Sequence, residues 1–140
     1  MSNALIDAAK APALAYGDKN WDKLRSAVTS DHRYDEVATQ RNANGADAFV
    51  DLCRGWAAAF PDSKPDFRNA VAGGDTVVLE LTWTGTHTGP LATPNGEVAP
   101  TGRSINIRAV QVVEVRDGKA ASTRQYFDMA TMMSQLGLAN

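Results

Sequence analysis

The fold is decided by the closing segment of the chain, which reads Arg116-Asp117-Gly118-Lys119, then Arg124-Gln125-Tyr126-Phe127-Asp128, and then Gln135-Leu136-Gly137. Alternating side chains on both sides of Asp117-Gly118 predict two strands, Ser104 to Arg116 and Lys119 to Phe127, joined by a tight turn. We expect Asp128 to cap a short final helix that ends at Gly137, with Leu138 packed beneath the helix end. The segment therefore predicts a β-hairpin followed by a helix.

The same alternation extends upstream of this hairpin. Phe67 to Ala72 and Thr76 to His87 are predicted strands, joined by a turn at Gly73-Gly74-Asp75. Thr88 to Arg103 contains three prolines and three glycines, which predicts an irregular loop. Long loops in compact domains are commonly functional or mobile, so this one is a candidate lid.

Helical spacing dominates the first half of the chain. Ala4 to Tyr16 and Trp21 to Val28 are predicted helices. We expect Asn44 to cap a third helix, which Pro61 stops. One apolar stripe of that helix faces the core and contains Phe49, Leu52, Cys53, Trp56, Ala57 and Phe60.

His32 to Ala38 is predicted to be an edge strand that separates the second and third helices. Helices followed by an antiparallel meander predict an α+β domain, which spans residues 1–140. We expect a cone-shaped, curved antiparallel sheet with the N-terminal helices against it, enclosing a pocket. The chain of 140 residues is long enough to bury such a core without metals or disulfides.

Composition excludes several classes of function. Fourteen basic residues against sixteen acidic ones leave a net charge of −2 and no basic run, so a nucleic-acid partner is not expected. No apolar stretch approaches the ~20 residues that span a bilayer, and the N-terminus does not resemble a secretion signal. The chain is therefore expected in the cytoplasm. With two histidines and one cysteine, no zinc site is expected, and Cys53 is interpreted as a buried, inert thiol.

Several short motifs resemble the SnoaL-like polyketide cyclase (ester cyclase) family. They are Gly55-Trp56-Ala57-Ala58-Ala59-Phe60-Pro61-Asp62, Gly85-Thr86-His87-Thr88-Gly89, Pro100-Thr101-Gly102-Arg103, Asp117-Gly118-Lys119 and Gln135-Leu136-Gly137. They cover nearly the whole chain in order. The resemblance implies the cone-shaped α+β barrel of nuclear transport factor-like proteins. It also implies cofactor-independent aldol closure of a polyketide ester, started by an Asp on the last strand.

The polar positions of that family pattern are changed in this chain. The resemblance implies that Gln125 stands where the family has its catalytic Asp and Gln111 where those cyclases commonly have His. Ala109 corresponds to a family Gln, and Tyr34 to an Asn of the early strand. The family mechanism therefore cannot transfer unchanged, since an amide does not act as a Brønsted base.

The two glutamines are the first candidates for a site. Gln125 can donate to a carbonyl or a developing oxyanion, or it can be an ordinary core amide bonded to the backbone. Gln111 interrupts an apolar strand face, and a lone buried amide needs a partner. A ligand or Gln125 itself can be that partner.

Two further residues are candidates for proton transfer. Tyr34 qualifies if it faces the cavity, although a phenol needs a hydrogen-bonding or cationic neighbour to act near neutral pH, and Tyr34 can equally be part of the cavity wall. His87 titrates near neutrality, but its motif also suits a structural role at the cavity rim. Asp128 is assigned to helix capping rather than catalysis.

The remaining candidates form the substrate-binding wall and the outer face of the sheet. The expected wall residues are Tyr16, Leu52, Trp56, Phe60, Trp83 and Phe127. Aromatic walls suit flat, conjugated ligands. Arg108 and Arg124 are expected on the opposite face of the sheet, toward solvent or an oligomer interface. The resemblance implies a homodimer or a higher homo-oligomer.

Three functions are compatible with these features. The first is a cofactor-independent cyclase, isomerase or lyase that acts on a polyketide-like conjugated substrate. The second is a small-molecule binding protein that has lost the family carboxylate. The third, a structural oligomeric module, requires a filled or collapsed cavity.

Overall fold

The computed structural model describes residues 2–138, so the two ends of the predicted 1–140 domain lie outside the described range. The helices in this range are α1 (Ser2–Gly17), α2 (Trp21–Ser26), α3 (Ala46–Ala59) and α4 (Met129–Gln135). The strands are β1 (Val28–Glu36), β2 (Arg41–Asn44), β3 (Lys64–Gly73), β4 (Thr76–Thr86), β5 (Leu91–Thr93), β6 (Gly96–Val98), β7 (Ser104–Arg116) and β8 (Lys119–Phe127). A 3-10 turn, Val37–Thr39, joins β1 to β2.

Six strands form one curved sheet in the order β2-β1-β8-β7-β4-β3. The β1–β8 pair is parallel, and the other neighbouring pairs are antiparallel. Helices α1 and α3 pack against one face of the sheet, where the main core lies. The predicted α+β class is confirmed, and β7 and β8 have the predicted bounds.

The β7–β8 hairpin follows from its turn sequence. Asp117 and Gly118 have φ angles of 54° and 76°, the left-handed geometry that a two-residue hairpin turn requires. The register of the two strands then places Gln111 directly opposite Gln125. Since side chains two apart share a face, this pairing sets one polar row across the inner side of the sheet.

The edge-strand prediction for His32 to Ala38 is wrong. Strand β1 begins at Val28 and lies inside the sheet, between β2 and β8. The edge is β2, and the predicted helix Trp21 to Val28 ends at Ser26. The difference arises because the chain reverses at the 3-10 turn and pairs back on itself, which local periodicity does not reveal.

The predicted Asn44 cap of α3 is also wrong. Asn44 is the last residue of β2, and Gly45 is the residue that precedes the helix, with φ of 93° and no side-chain cap. That backbone angle is one that L side chains rarely adopt, so glycine lets the chain turn directly from strand to helix. The helix ends at Ala59, before Pro61, as expected.

The segment Thr88 to Arg103 is less irregular than predicted, because β5 and β6 form a small hairpin within it. Its first residues close the end of α3, since the N–H groups of Thr88 and Gly89 both donate to the carbonyl of Ala59, at 3.1 and 3.2 Å. The loop thus supplies donors to a helix end whose carbonyls have no partner within the helix. This contact gives the Gly85–Gly89 motif a structural role, which is to close the C-terminal end of α3.

Helix α4 confirms one sequence prediction and corrects another. The carboxylate of Asp128 accepts from the N–H of Ala130 at 2.9 Å and from the Thr131 hydroxyl at 2.8 Å, so it caps the helix. Leu138 does not pack beneath the helix end, because its side chain is 37% exposed. Leu136 fills that contact instead, and Leu138 contributes only its backbone N–H, which donates to Met133.

Within residues 2–138, no helix is both long enough and apolar enough to cross a membrane.

Replacing Gly89 by Ala is expected to lower the free energy of unfolding by about 1–3 kcal/mol, because the new Cβ would overlap the carbonyl oxygen of Ala58. Gly55→Ala is the matched control, since Gly55 lies within α3 and has open space at its Cβ position. That control is expected to gain about 0.5–1 kcal/mol from helix propensity. Urea denaturation measures the free energy of unfolding of both variants. A Gly89→Ala protein as stable as wild type would contradict the close contact between position 89 and the Ala58 carbonyl.

Candidate functional site

A cavity of about 90 Å³ lies between α1, α3 and the inner face of the sheet. Seven of its lining side chains are aromatic, and among the described residues no charged side chain lines it. The predicted wall residues that do line it are Tyr16, Trp56, Phe60, Trp83 and Phe127. Leu52 does not line the cavity and packs against the core instead.

Three candidate polar residues meet on one side of this cavity. Gln111 Nε2 donates to Gln125 Oε1 at 3.0 Å, and Gln125 Nε2 donates to Tyr34 Oη at 2.7 Å. All three side chains are at least 90% buried. Their convergence follows from the strand register, in which Gln111 pairs with Gln125 on β8 while Tyr34 lies on the neighbouring β1.

The orientation of the Gln125 amide is set by Trp83. The indole Nε1 of Trp83 donates to Gln125 Oε1 at 2.7 Å, and an indole N–H can only donate. The amide oxygen must therefore face Trp83, and the NH₂ group must face Tyr34. As a result Tyr34 Oη accepts from Gln125, and its own O–H proton is directed elsewhere.

That proton is directed to Glu36, a residue that the sequence analysis did not select. Tyr34 Oη donates to Glu36 Oε2 at 2.8 Å. The Glu36 side chain is fully buried on the last residue of β1, two positions after Tyr34 and so on the same strand face. The period-two spacing from Tyr34 was the signal that could have identified it.

Three more donors hold the Glu36 carboxylate. The Thr39 hydroxyl donates at 2.6 Å and Arg41 Nη2 at 2.9 Å to one oxygen, and Trp56 Nε1 donates at 2.8 Å to the other. Arg41 also lies over the Trp56 ring, 5.5 Å from its centroid. A buried carboxylate is tolerated only when it is paired and hydrogen-bonded, and Glu36 has both an ion pair and neutral donors.

The surroundings of Tyr34 keep its hydroxyl protonated. Burial raises the pKa of the Tyr34 phenol well above its ordinary value, and the negative charge of Glu36 raises it further. Burial likewise raises the pKa of the Cys53 thiol, which lines the same cavity. The site therefore presents a neutral phenol bonded to a buried carboxylate, and a thiol that is not ionised.

A second polar pair lies on the cavity wall. Tyr16 Oη and Ser63 Oγ are 2.6 Å apart, and both residues are buried. Lys19 lies on the outer side of the pair, where its ammonium donates to the Ser63 carbonyl at 2.6 Å and sits 4.6 Å from the Tyr16 ring centroid. The sequence indicates Tyr16 as a wall residue but gives no signal for Ser63, because the two residues that pair are 47 positions apart.

His87 is not brought to the cavity wall. Its imidazole is fully buried and stacks on Phe60, with ring centroids 5.2 Å apart. Nδ1 accepts the backbone N–H of Thr101 at 3.2 Å, and burial lowers the pKa of His87. The ring thus joins the two ends of the 88–103 segment, which is the structural alternative considered from the sequence.

His32 is a buried histidine that the sequence analysis did not single out. Its Nε2 lies 3.0 Å from the hydroxyl of Thr123, a cavity-lining residue, and its ring packs against Phe49. Nδ1 has no hydrogen-bond partner among the described residues. Burial lowers the pKa of His32 from 6.5 to about 4, so the ring is neutral at neutral pH.

No group of three or more His, Cys, Asp or Glu side chains in the described part of the chain is arranged to hold a metal ion. The cavity is lined by two amides, two phenols and two small hydroxyls, together with the Cys53 thiol and the indoles of Trp56 and Trp83. Such groups bind and orient neutral oxygen functions, and the phenol bonded to Glu36 can also move a proton.

Comparison with known proteins identifies the fold and the family. The sequence model of the family described as SnoaL-like polyketide cyclase matches residues 7–136. Among solved structures, the chain is similar to TsrD from Streptomyces laurentii, with a TM-score of 0.83 and 20% identity over 99% of this chain and 98% of that one. None of the curated proteins matches the chain.

Two other solved structures have the same fold. A protein with a ketosteroid isomerase-like fold from Catenulispora acidiphila, in complex with trimethylamine, has a TM-score of 0.80 and 17% identity, covering 94% of this chain and 93% of its own. An LEH-like epoxide hydrolase from M. tuberculosis has a TM-score of 0.74 and 21% identity, covering 96% of this chain and 90% of its own. At these identities the likeness shows the fold alone.

Because the unfolded chain protonates His32 near pH 6.5 and the folded protein does so only near pH 4, stability falls as the pH falls between those values. We expect His32 to account for a loss of about 1–2 kcal/mol in the free energy of unfolding between about pH 6.5 and pH 5. The free energy of unfolding of the His32→Gln variant is expected to fall less than that of wild type over this pH range. Urea titrations at each pH measure the effect, with His87→Gln as a comparison, and equal losses in wild type and His32→Gln would contradict it.

Proposed function

The chain belongs to the SnoaL-like polyketide cyclase family, and we propose that it is a cofactor-independent enzyme that moves a proton on a conjugated, polyketide-like carbonyl compound. The reaction is an aldol-type cyclisation or a related isomerisation or elimination. The single observation that carries this proposal is the directed hydrogen-bond chain from Gln125 through Tyr34 to Glu36. It ends on a carboxylate, which is the acceptor that the amide at the family Asp position cannot provide.

The proton-transfer step uses Tyr34 and Glu36 together. Tyr34 Oη takes a proton from the carbon next to the substrate carbonyl while its own O–H proton passes to Glu36 Oε2, 2.8 Å away. The C–H bond breaks, a new O–H bond forms on Tyr34, and the electron pair moves into the enolate. This concerted route avoids a free phenolate, which the raised pKa of Tyr34 disfavours.

The amides stabilise the charge that develops on the substrate oxygen. Gln125 Nε2 uses one hydrogen on Tyr34, and Gln111 Nε2 uses one on Gln125. Each amide therefore retains one N–H for a ligand. Fixed donors in a dry site stabilise an enolate oxygen more strongly than water does, because they need no reorganisation during the reaction.

Cavity size and charge narrow the substrate class. The volume of about 90 Å³ is smaller than the roughly 150 Å³ of an engineered apolar cavity that binds benzene. The uncharged lining suits a compact, neutral carbonyl compound, and at this volume one ring is the upper limit. A polycyclic substrate fits only if part of the cavity wall moves. The wall segment that would have to move is α4, which contributes Met132 to the lining. This helix is held by Gln135, whose side chain bonds the backbone of Asn106 at the protein surface.

A non-catalytic binding protein is the second candidate. It is favoured by one observation, namely that no carboxylate lines the cavity within the described residues, since Glu36 lies behind Tyr34 and Trp56. In that case the amides and the phenol select a ligand without changing it. The two candidates differ in one property, which is proton exchange on a bound ligand.

A homodimer is proposed on the basis of the outer face of the sheet. Val78 and Tyr126 are 37% and 42% exposed there, and Val71 is 56% exposed on the adjacent β3. Arg108 is also exposed on this face, as expected from the sequence. Exposed apolar side chains on one sheet face favour pairing with a second copy, and a single-subunit mass in solution would argue against it.

The test of catalysis uses 3-cyclohexenone, a one-ring ketone whose α proton is acidified by both the carbonyl and the double bond. Wild type is expected to convert it to the conjugated isomer, followed by absorbance, and to introduce deuterium at carbon in D₂O, followed by NMR. Tyr34→Phe and Glu36→Gln are each expected to lower the rate about 100-fold or more, the usual contribution of a general acid–base group.

Matched controls separate chemistry from folding. Tyr126→Phe removes an exposed phenol, and Asp35→Asn removes the carboxylate that precedes Glu36 on the opposite strand face; both are expected to stay within about twofold of wild type. Thermal denaturation verifies that each variant is folded. Unchanged exchange in Tyr34→Phe would overturn the relay, and saturable binding by wild type without exchange would favour the binding protein.

A further inference from the structure

We propose that Tyr16 and Ser63 form a second hydrogen-bonding subsite, so that the ligand carries two acceptor oxygens, one at each end of an apolar body. The inference rests on the proposed function, in which the first oxygen binds at Gln111 and Gln125, and it narrows the substrate class to dicarbonyl compounds.

The Tyr16–Ser63 pair has one more hydroxyl hydrogen than its mutual bond uses. Tyr16 and Ser63 have two O–H groups between them, and the 2.6 Å contact of their oxygens uses one. Neither hydroxyl has another hydrogen-bond partner among residues 2–138. Whichever residue donates to the other, one O–H hydrogen therefore remains for a ligand. Both residues line the cavity, so that hydrogen is available there.

The subsite is held rigidly from outside the cavity. The Ser63 N–H donates to the Phe60 carbonyl at 3.0 Å, and Lys19 donates to the Ser63 carbonyl at 2.6 Å. The preceding Asp62 accepts from the N–H and the hydroxyl of Thr86, at 2.7 and 2.8 Å. Preorganised groups bind a ligand without a large loss of conformational entropy. These four bonds make the turn after α3 suitable for binding.

Trp83 separates the two subsites. Its indole N–H is bonded to Gln125 in the first subsite, and its ring packs edge-on against Tyr16 in the second, with centroids 5.4 Å apart. A ligand that reaches both subsites must therefore lie along the Trp83 ring. An apolar spacer with a carbonyl at each end meets that requirement.

The subsite favours an acceptor oxygen over a donor. Its free group is an O–H hydrogen, and burial raises the pKa of Tyr16, so the phenol stays protonated. The Lys19 ammonium behind the pair adds positive potential at this end. The two oxygens also keep lone pairs that can accept, but a buried acceptor is left unpaired more readily than a buried donor hydrogen. A ligand carbonyl that takes the spare hydrogen is therefore favoured.

The experiment compares 2-hexanone with 2,5-hexanedione, which differ by one carbonyl. Titration calorimetry with wild type is expected to show binding of both, with the dione about threefold to tenfold tighter, the range that one neutral hydrogen bond supplies. If 2-hexanone does not bind, the proposed function fails. If it binds but the dione has no advantage, only the second subsite fails.

The variants give a pattern that a simple packing role would not. Tyr16→Phe and Ser63→Ala each leave one hydroxyl, so each single variant is expected to keep the dione preference. The double variant has no hydroxyl and is expected to lose the preference, because the second carbonyl of the dione then has no donor to bind.

A preference retained in the double variant, or already lost in either single variant, would overturn the spare-hydrogen account. Thermal denaturation establishes that each variant is folded. The wild-type comparison of the two ketones decides the proposal even if the double variant does not fold.

Discussion

The burial of the Glu36 carboxylate is the constraint on which the site depends. A carboxylate with no solvent exposure needs several strong donors, and the fold supplies them from four positions: Tyr34, Thr39, Arg41 and Trp56. Arg41 belongs to β2, so the short edge strand brings the one cation of the group. Trp56 belongs to α3, so the same carboxylate also ties the helix to the sheet. Removing any donor leaves the charge less well compensated.

The proton directions in the cavity follow from this carboxylate and from the indole of Trp83. A carboxylate only accepts and an indole N–H only donates, so the groups between them have one consistent arrangement. Tyr34 donates to Glu36, and Gln125 presents its oxygen to Trp83 and its nitrogen to Tyr34. The chain thus provides a neutral cavity wall with a proton acceptor directly behind it. In the proposed reaction, the carboxylate that receives the proton therefore lies out of contact with an apolar substrate.

The alternation of side chains predicted the strands well because it is local. It gave the bounds of β7 and β8 and placed Gln111 and Gln125 on the inward strand faces that line the cavity. The sequence leaves open whether Tyr34 faces the cavity, and the structure places it there. The backbone conformation of single residues was harder to predict from the sequence. Glycine at position 45 begins α3 by its unusual φ angle rather than by a side-chain cap, which a pattern of capping residues does not detect.

The long-range parts of the site could not be predicted from the sequence. Glu36 becomes important only because Arg41 turns back beside it and Trp56 approaches from α3, contacts that no local pattern encodes. Ser63 meets Tyr16 for the same reason. His87 has a reactive side chain in a family motif, yet its packing against Phe60 and bond to Thr101 assign it to the loop. Residue type alone therefore indicated His87, which does not line the cavity, and did not indicate Glu36, which bonds Tyr34.

Neutron diffraction from deuterated crystals tests the central claim most directly, because it locates each exchanged proton. The account predicts a deuteron on Tyr34 Oη directed at Glu36 Oε2, an unprotonated Glu36 carboxylate, and the Gln125 nitrogen facing Tyr34. A deuteron on Glu36 directed at Tyr34, or a Gln125 amide with its oxygen toward Tyr34, would contradict it.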